Sequence, residues 1–151
     1  MRFIGDFPAK TDSKGRVFLP AAFRRVLGES EVERLVLRPD VFKRCLVLYP
    51  EQLWNEMLDV MRGRLSQWNA SHMEVLRQFM SEAELVELDG NGRILLNKRK
   101  LQCAGIGQQV RFLGMDDRIE VWNGELCEEE LSRTEDGFAA NVQDLLDVSA
   151  R

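Results

Sequence analysis

Two short stretches carry the same reactive residues at the same spacing: "DSKGRVFLP" at residues 12–20 and "DGNGRILLN" at residues 89–97. Asp12, Gly15 and Arg16 recur as Asp89, Gly92 and Arg93, each 77 residues further along. An aspartate four residues before an arginine bonds nearby backbone N–H groups as an Asx-turn, or pairs with the guanidinium. The arginine offers a planar fork of donors that matches a phosphate or a guanine edge. Gly15 and Gly92 supply the positive φ of a tight reversal, and the Asp-Gly and Asn-Gly dipeptides of the second copy are strong turn signals. One Asp-x-x-Gly-Arg is an ordinary hairpin turn. Two copies, each with arginine directly after glycine, point to recognition, because a turn alone does not need that arginine twice.

More cations gather around each copy. Residues 10–25 hold Lys10, Lys14, Arg16, Arg24 and Arg25 against Asp12, a local charge of +4. Residues 89–100 hold Arg93, Lys98, Arg99 and Lys100 against Asp89, a local charge of +3. Residues 124–151 hold eight acids against two arginines, so the overall charge of −4 hides a segregated distribution. Surface potential follows that local distribution, since charges beyond a Debye length are screened. Arg24 and Arg25 are expected near a helix C-terminus, where the macrodipole favours cations. Lys98, Arg99 and Lys100 are expected in a first helical turn, where the same dipole disfavours each by roughly 0.3–1 kcal/mol. An external anion such as a phosphate backbone would offset that cost.

The elements that position these groups also come in two sets. Each Gly-Arg is followed by a β-like run, "VFL" or "ILL", and then by a short helix, "PAAFRRVLG" or "NKRKLQCAG". Gly28 and Gly105, again 77 apart, mark the expected helix ends. Pro20 suits the first helical position and Asn97 the N-cap. Each half then offers two apolar strands, "RLVLR" and "CLVLYP" or "QVRFLG" and "RIEVWN". Helices close each half. One is lined by Trp54, Met57, Leu58, Met61, Leu65 and Trp68 at helical spacing. A second is expected behind a Ser71/Glu74 capping box and carries Met73, Leu76, Phe79 and Met80. The C-terminal segment reads as two helices, the last lined by Phe138, Val142 and Leu145. The resulting division is repeat 1 at 5–52, helices at 53–80, repeat 2 at 81–124 and helices at 125–151. Half-domains of about 45 residues rarely hold an adequate core alone, so the two sheet portions are expected to pair into one body.

Several chemistries find no support. Cys45, Cys103 and Cys127 fit neither a disulfide framework nor paired zinc ligands, and read as reduced thiols with at least one in the core. His72 is the only histidine, which leaves no multi-histidine site. No glycine-rich phosphate loop or Ser/Cys/His constellation occurs, and "CEEELSRTED" reads as a solvated helix face rather than a magnesium site. Catalysis, cofactor, metal and small-molecule substrate are therefore not expected. No apolar run approaches the ~20 residues needed to span a bilayer, and Asp6 and Pro8 interrupt any signal-peptide core, so a soluble cytosolic protein is expected.

The stretches "GDFPAKTDSKGRVFLPAAFRRVLG" with "CLVLYP", and "ELVELDGNGRILLNKRKLQCAG", resemble the two SpoVT-AbrB-type repeats of the MraZ family over nearly the whole chain. Asn97 stands where that family commonly has a proline. The resemblance implies an α+β fold, with an AbrB-like swapped-hairpin β-barrel built from both repeats and helices outside. It also implies a nucleoid-associated transcriptional regulator forming a ring-shaped homo-oligomer. Its target would be short repeated elements of double-stranded DNA at the promoter of the division and cell-wall gene cluster. Lys14, Arg16 and Arg93 would then belong to DNA-facing turns. Arg24, Arg25, Lys98, Arg99 and Lys100 would be phosphate contacts, with Asp12, Gly15, Asp89 and Gly92 shaping the turns. An antitoxin-like module that holds another protein is the alternative reading of the same fold.

Overall fold

Alternation of side chains decides the first strand: in β1 (Asp6–Lys10) Phe7 and Ala9 turn inward between exposed neighbours. Three-residue β2 (Arg16–Phe18) buries only Val17. Helix α1 (Ala21–Glu29) then buries Phe23 and Leu27. Strand β3 (Arg34–Pro39) buries Leu35, Val36, Leu37 and Arg38, and β4 (Leu46–Pro50) is apolar and buried throughout, as suits strands inside a sheet. A helical hairpin follows, α2 (Glu51–Arg64) and α3 (Ala70–Ser81). The second half repeats the order with β5 (Glu84–Glu87), β6 (Arg93–Leu95), α4 (Lys98–Ala104), β7 (Gln109–Gly114) and β8 (Ile119–Asn123). Two acidic helices, α5 (Gly124–Arg133) and α6 (Phe138–Leu146), complete it. These elements come from a computed structural model that describes residues 1–147.

The halves share one antiparallel sheet in the order β1-β7-β8-β4-β3-β5, with β2 and β6 forming a separate ribbon. Exchanging each strand for its repeat partner reverses this order without changing it. The sheet therefore has a pseudo-two-fold axis between β8 and β4. Register obeys the same symmetry, since Phe7 opposes Phe112 on β7 and its equivalent Glu84 opposes Leu37 on β3. Each repeat lends its first strand to the other, so neither half holds a core of its own. One cluster fills the interior, with Phe3, Leu19, Phe23, Leu37, Leu48, Leu96, Phe112 and Val121 drawn from both repeats.

The expected closed barrel is not found. β1 and β5 each pair along one side only, and the ribbon lies against both of them, β2 beside β1 and β6 beside β5. Packing by the ribbon fills the gap that a hydrogen-bonded ladder would close in a barrel.

Helix boundaries depart from expectation at four points. Gly28 lies inside α1, which runs on to Glu29, whereas Gly105 does end α4 with φ 64°. Pro20 sits one residue before α1, at the N-cap. α3 begins ahead of Ser71 because Asn69 Oδ1 accepts the His72 N–H at 3.2 Å. α2 stops at Arg64, so Trp68 falls in the following loop and is exposed rather than part of the stripe. His72 has a local structural task there: its Nδ1 accepts the Ser66 N–H at 3.0 Å. Trp54 stacked on Phe79, with centroids 5.1 Å apart, joins the two helices of the hairpin, and Trp54 against Tyr49 of β4 and buried Arg38 of β3 fasten it to the sheet. Arg38 lies over the Phe79 ring and donates to the Phe79 and Pro39 carbonyls. Cys45 and Cys127 are buried beside Trp122 while Cys103 is exposed; all three are free thiols.

Candidate nucleic-acid interface

Both turns adopt one design. Asp12 Oδ1 accepts the backbone N–H groups of Lys14 and Arg16, each at 2.9 Å, and Oδ2 accepts Arg16 Nε at 2.7 Å. Asp89 Oδ1 accepts the N–H groups of Asn91 and Arg93 at 2.8 and 3.0 Å, and Oδ2 accepts Arg93 Nε at 2.8 Å. The backbone N–H of Arg16, then the lesser bonds to its side chain and to Lys14, holds the Asp12 carboxyl below the usual aspartate range. Asp89 is lowered in the same way, first by the Arg93 N–H. Each arginine is thus gripped at Nε, a bond that does not use its two terminal nitrogens; the Arg16 side chain is 35% exposed and that of Arg93 22%. The terminal end of a guanidinium is the fork that engages phosphates and base edges.

Gly15 and Gly92 have φ of 84° and 83°. A Cβ on Gly15 would lie 2.3 Å from the Leu96 carbonyl oxygen, a backbone atom that has no room to retreat. On Gly92 it would meet Arg24 Nη1 at 2.5 Å. Cross-bonds join the turns as well: Leu96 N–H donates to Gly15 O at 2.9 Å and Leu19 N–H to Gly92 O at 3.1 Å. The β2–β6 register, with Val17 opposite Ile94, completes the clamp. Both arginine tips consequently lie on one side of the molecule, and Arg93 Nη1 is 4.0 Å from Asp12 Oδ2.

The other cations divide into two groups. Lys14, Arg24, Arg25 and Lys98 are exposed, and none makes an ion pair among the described residues. Arg24 and Arg25 occupy the middle of α1 rather than its last turn, so the dipole does not account for them. Arg24 reaches from repeat 1 over the turn of repeat 2. The α4 cations differ. Lys100 is only 4% exposed, with Nζ 4.0 Å from Glu82 Oε2. Arg99 is exposed but bonded to Glu82 Oε1 at 2.6 Å. An internal carboxylate therefore meets the dipole cost that the sequence assigned to an external anion. Asn97 caps the helix as expected, with Oδ1 accepting the Lys100 N–H at 3.0 Å. Its Nδ2 donates to Glu84 at 2.9 Å.

The two repeats that share this site are matched by a family model for MraZ protein, described as antitoxin-like, over residues 3–76 and 79–148. The chain belongs to the MraZ family. It is 48% identical over 151 residues to a protein of Bacteroides fragilis named Transcriptional regulator MraZ, covering all of this chain and 95% of that protein. A protein of the same name from Phocaeicola vulgatus is 48% identical over 97% of this chain and 94% of its own length. One from Bacteroides thetaiotaomicron is 45% identical over 100% and 96%.

Within this MraZ-family site the structure brings the Asp, Gly and Arg residues of both turns together, and Lys100 stands in the first turn of α4 as expected but is buried against Glu82 instead of exposed. Sequence reasoning missed Glu82. It lies 17 residues before Arg99, on the turn leaving α3, and no local pattern couples those positions. No helix among the described residues is long and apolar enough to cross a membrane.

Proposed function

We propose that the β2–β6 ribbon binds double-stranded DNA and that the chain is a sequence-specific transcriptional regulator. One observation carries this reading: two arginines, each fixed at Nε by its own aspartate, stand together at the joined turns, on segments that also carry exposed Lys14, Arg24, Arg25 and Lys98, none ion-paired among the described residues. A polyanion with regularly spaced phosphates suits that arrangement, because each neutralised phosphate releases condensed counterions. Arg16 and Arg93 are the central contacts, and Lys14, Arg24, Arg25, Lys98 and Arg99 track phosphates around them. Lys100 supports α4 from inside. The names of the relatives, Transcriptional regulator MraZ, agree with this assignment.

The finer reading follows the family resemblance: a swapped-hairpin unit, cytoplasmic and nucleoid-associated, in a ring-shaped homo-oligomer. That ring would act on short repeated elements at the promoter of the division and cell-wall gene cluster. One ribbon with a few cations grips DNA weakly, whereas linked ribbons rebind at high effective concentration. Arg16→Ala is expected to weaken binding to a fragment carrying several promoter repeats at least tenfold more than binding to one repeat, read by gel shift across a salt series. Equal losses on both fragments would remove avidity. Binding indifferent to both sequence and salt would favour the antitoxin-like alternative, in which the fold's main partner is another protein.

A further inference from the structure

The ribbon presents more than charge. Strand alternation sends Val17 and Ile94 into the core, where each is 1% exposed. The opposite face carries Arg16 and Phe18 on β2, and Arg93 and Leu95 on β6. In the register, Leu95 opposes Arg16 and Phe18 opposes Arg93, so all four stand on one surface. Phe18 is 55% exposed and Leu95 52%. Arg93 Cζ lies 5.8 Å from the Phe18 ring centroid.

Single exposed apolar residues are common on protein surfaces. These two are not independent, because positions 18 and 95 are equivalent in the two repeats. The core already receives its apolar side chain from Val17 and Ile94, so packing does not call for another on the outer face. Both repeats nevertheless place a large hydrocarbon beside the arginine. An anionic surface alone would be served as well by polar residues there. The surface that alternates phosphate or acceptor-rich edges with exposed hydrocarbon is the DNA major groove, where every thymine displays a C5-methyl group. A two-stranded β-ribbon fits that groove's width.

We propose that Phe18 and Leu95 pack against thymine methyl groups in the major groove and so set sequence preference, with Arg16 and Arg93 anchored beside them. This rests on the DNA-binding reading of the ribbon. Pseudo-two-fold symmetry makes a further demand: the two apolar contacts fall at opposite ends of the ribbon, each across from one arginine, so the recognised sequence has two separated thymine positions, each beside an arginine contact.

The test uses the full-length chain and a duplex selected by it from a randomised pool. Each thymine of that duplex is replaced singly by deoxyuridine, which removes the methyl group and keeps the pairing. At two positions the unsubstituted protein is expected to lose about fourfold in affinity, the worth of one buried methyl-sized group. Phe18→Ala is expected to become indifferent to one replacement and Leu95→Ala to the other, with the salt slope unchanged because the cations remain. The deoxyuridine series on the unsubstituted protein decides the matter even if a variant misfolds. Uniform indifference to methyl removal overturns the proposal while leaving DNA binding intact. A changed mass in light scattering for both variants, with methyl sensitivity retained, overturns it in favour of a contact between copies. Failure to enrich any duplex, together with salt-independent binding, overturns the underlying DNA reading as well.

Discussion

An aspartate on a surface that binds phosphate ordinarily weakens the attraction, and on the surface proposed for DNA two of them stand next to Arg16 and Arg93. The geometry resolves the conflict at the level of single atoms. Asp12 and Asp89 spend Oδ1 on two backbone N–H groups and Oδ2 on the guanidinium Nε, so their charge is met locally while they fix the position of the arginine. The pH dependence of this device follows from the lowered carboxyl pKa values. A depressed folded-state pKa means that the carboxylate's contribution is complete above the unfolded value of ~3.9 and is lost as pH falls through the lower folded value. The turns are therefore held throughout the neutral range. In an acid titration followed by amide NMR, Lys14, Arg16, Asn91 and Arg93 N–H resonances are expected to shift with midpoints below ~3.9. Midpoints at or above that value would show that the carboxylates do not hold these N–H groups. Asp12→Ala, which frees Arg16 to wander, is expected to lower DNA affinity roughly tenfold despite removing a negative charge.

At the scale of elements, what the sequence revealed was local and what it concealed was long-range. The reversals at Asp12–Arg16 and Asp89–Arg93, the Asn97 cap and the strands around Val36 and Phe112 are written in neighbouring residues, and each appears where the pattern placed it. The exchange of β1 and β5 between repeats depends on contacts about a hundred or about fifty residues apart, and no periodicity announces it. Burial of Lys100 was hidden for the same reason, since its partner Glu82 arrives from the turn after α3. Ser71 looked like a cap because its spacing to Glu74 was right, but Asn69 two residues earlier won the same N–H group region. The α4 start tests how firmly such a junction is held. Asn97 both caps α4 and donates to Glu84 at the start of β5. Asn97→Ala is expected to cost about 1 kcal/mol, or a fall of roughly 2–4 °C in Tm for a chain of this size. Asn97→Asp preserves the capping oxygen yet sets a carboxylate against Glu84, so it should not recover the loss. Full recovery by aspartate would show that the cap alone matters and that the Glu84 bond adds nothing.

For the whole molecule, the decisive fact is that its positive and its negative charges lie on different segments. Cations surround the ribbon, while Glu125, Glu128, Glu129, Glu130, Glu135, Asp136 and Asp144 crowd α5, α6 and their connection. On the proposed reading a duplex would be drawn to the ribbon and repelled by the terminal helices, so net acidity would be no obstacle to DNA binding and would orient the complex instead. α6 has a second peculiarity. It spans nine residues and buries none of them, and Phe138 and Leu146 are 64% and 74% exposed. A helix shorter than about 12–15 residues is marginal in water without tertiary support. Contact with another copy would cover both side chains and supply that support, in keeping with the proposed ring. Phe138→Asp, which adds charge without touching the sheet or the ribbon, is expected to lower the mass measured by light scattering. The same variant should lose roughly a hundredfold in affinity for a multi-repeat fragment, because avidity depends on linked ribbons. Its affinity for a single repeat should stay within about twofold, since every cation of the site is intact. An unchanged mass would take α6 out of the assembly contacts, and an equal loss on both fragments would mean that the ribbon itself had been disturbed.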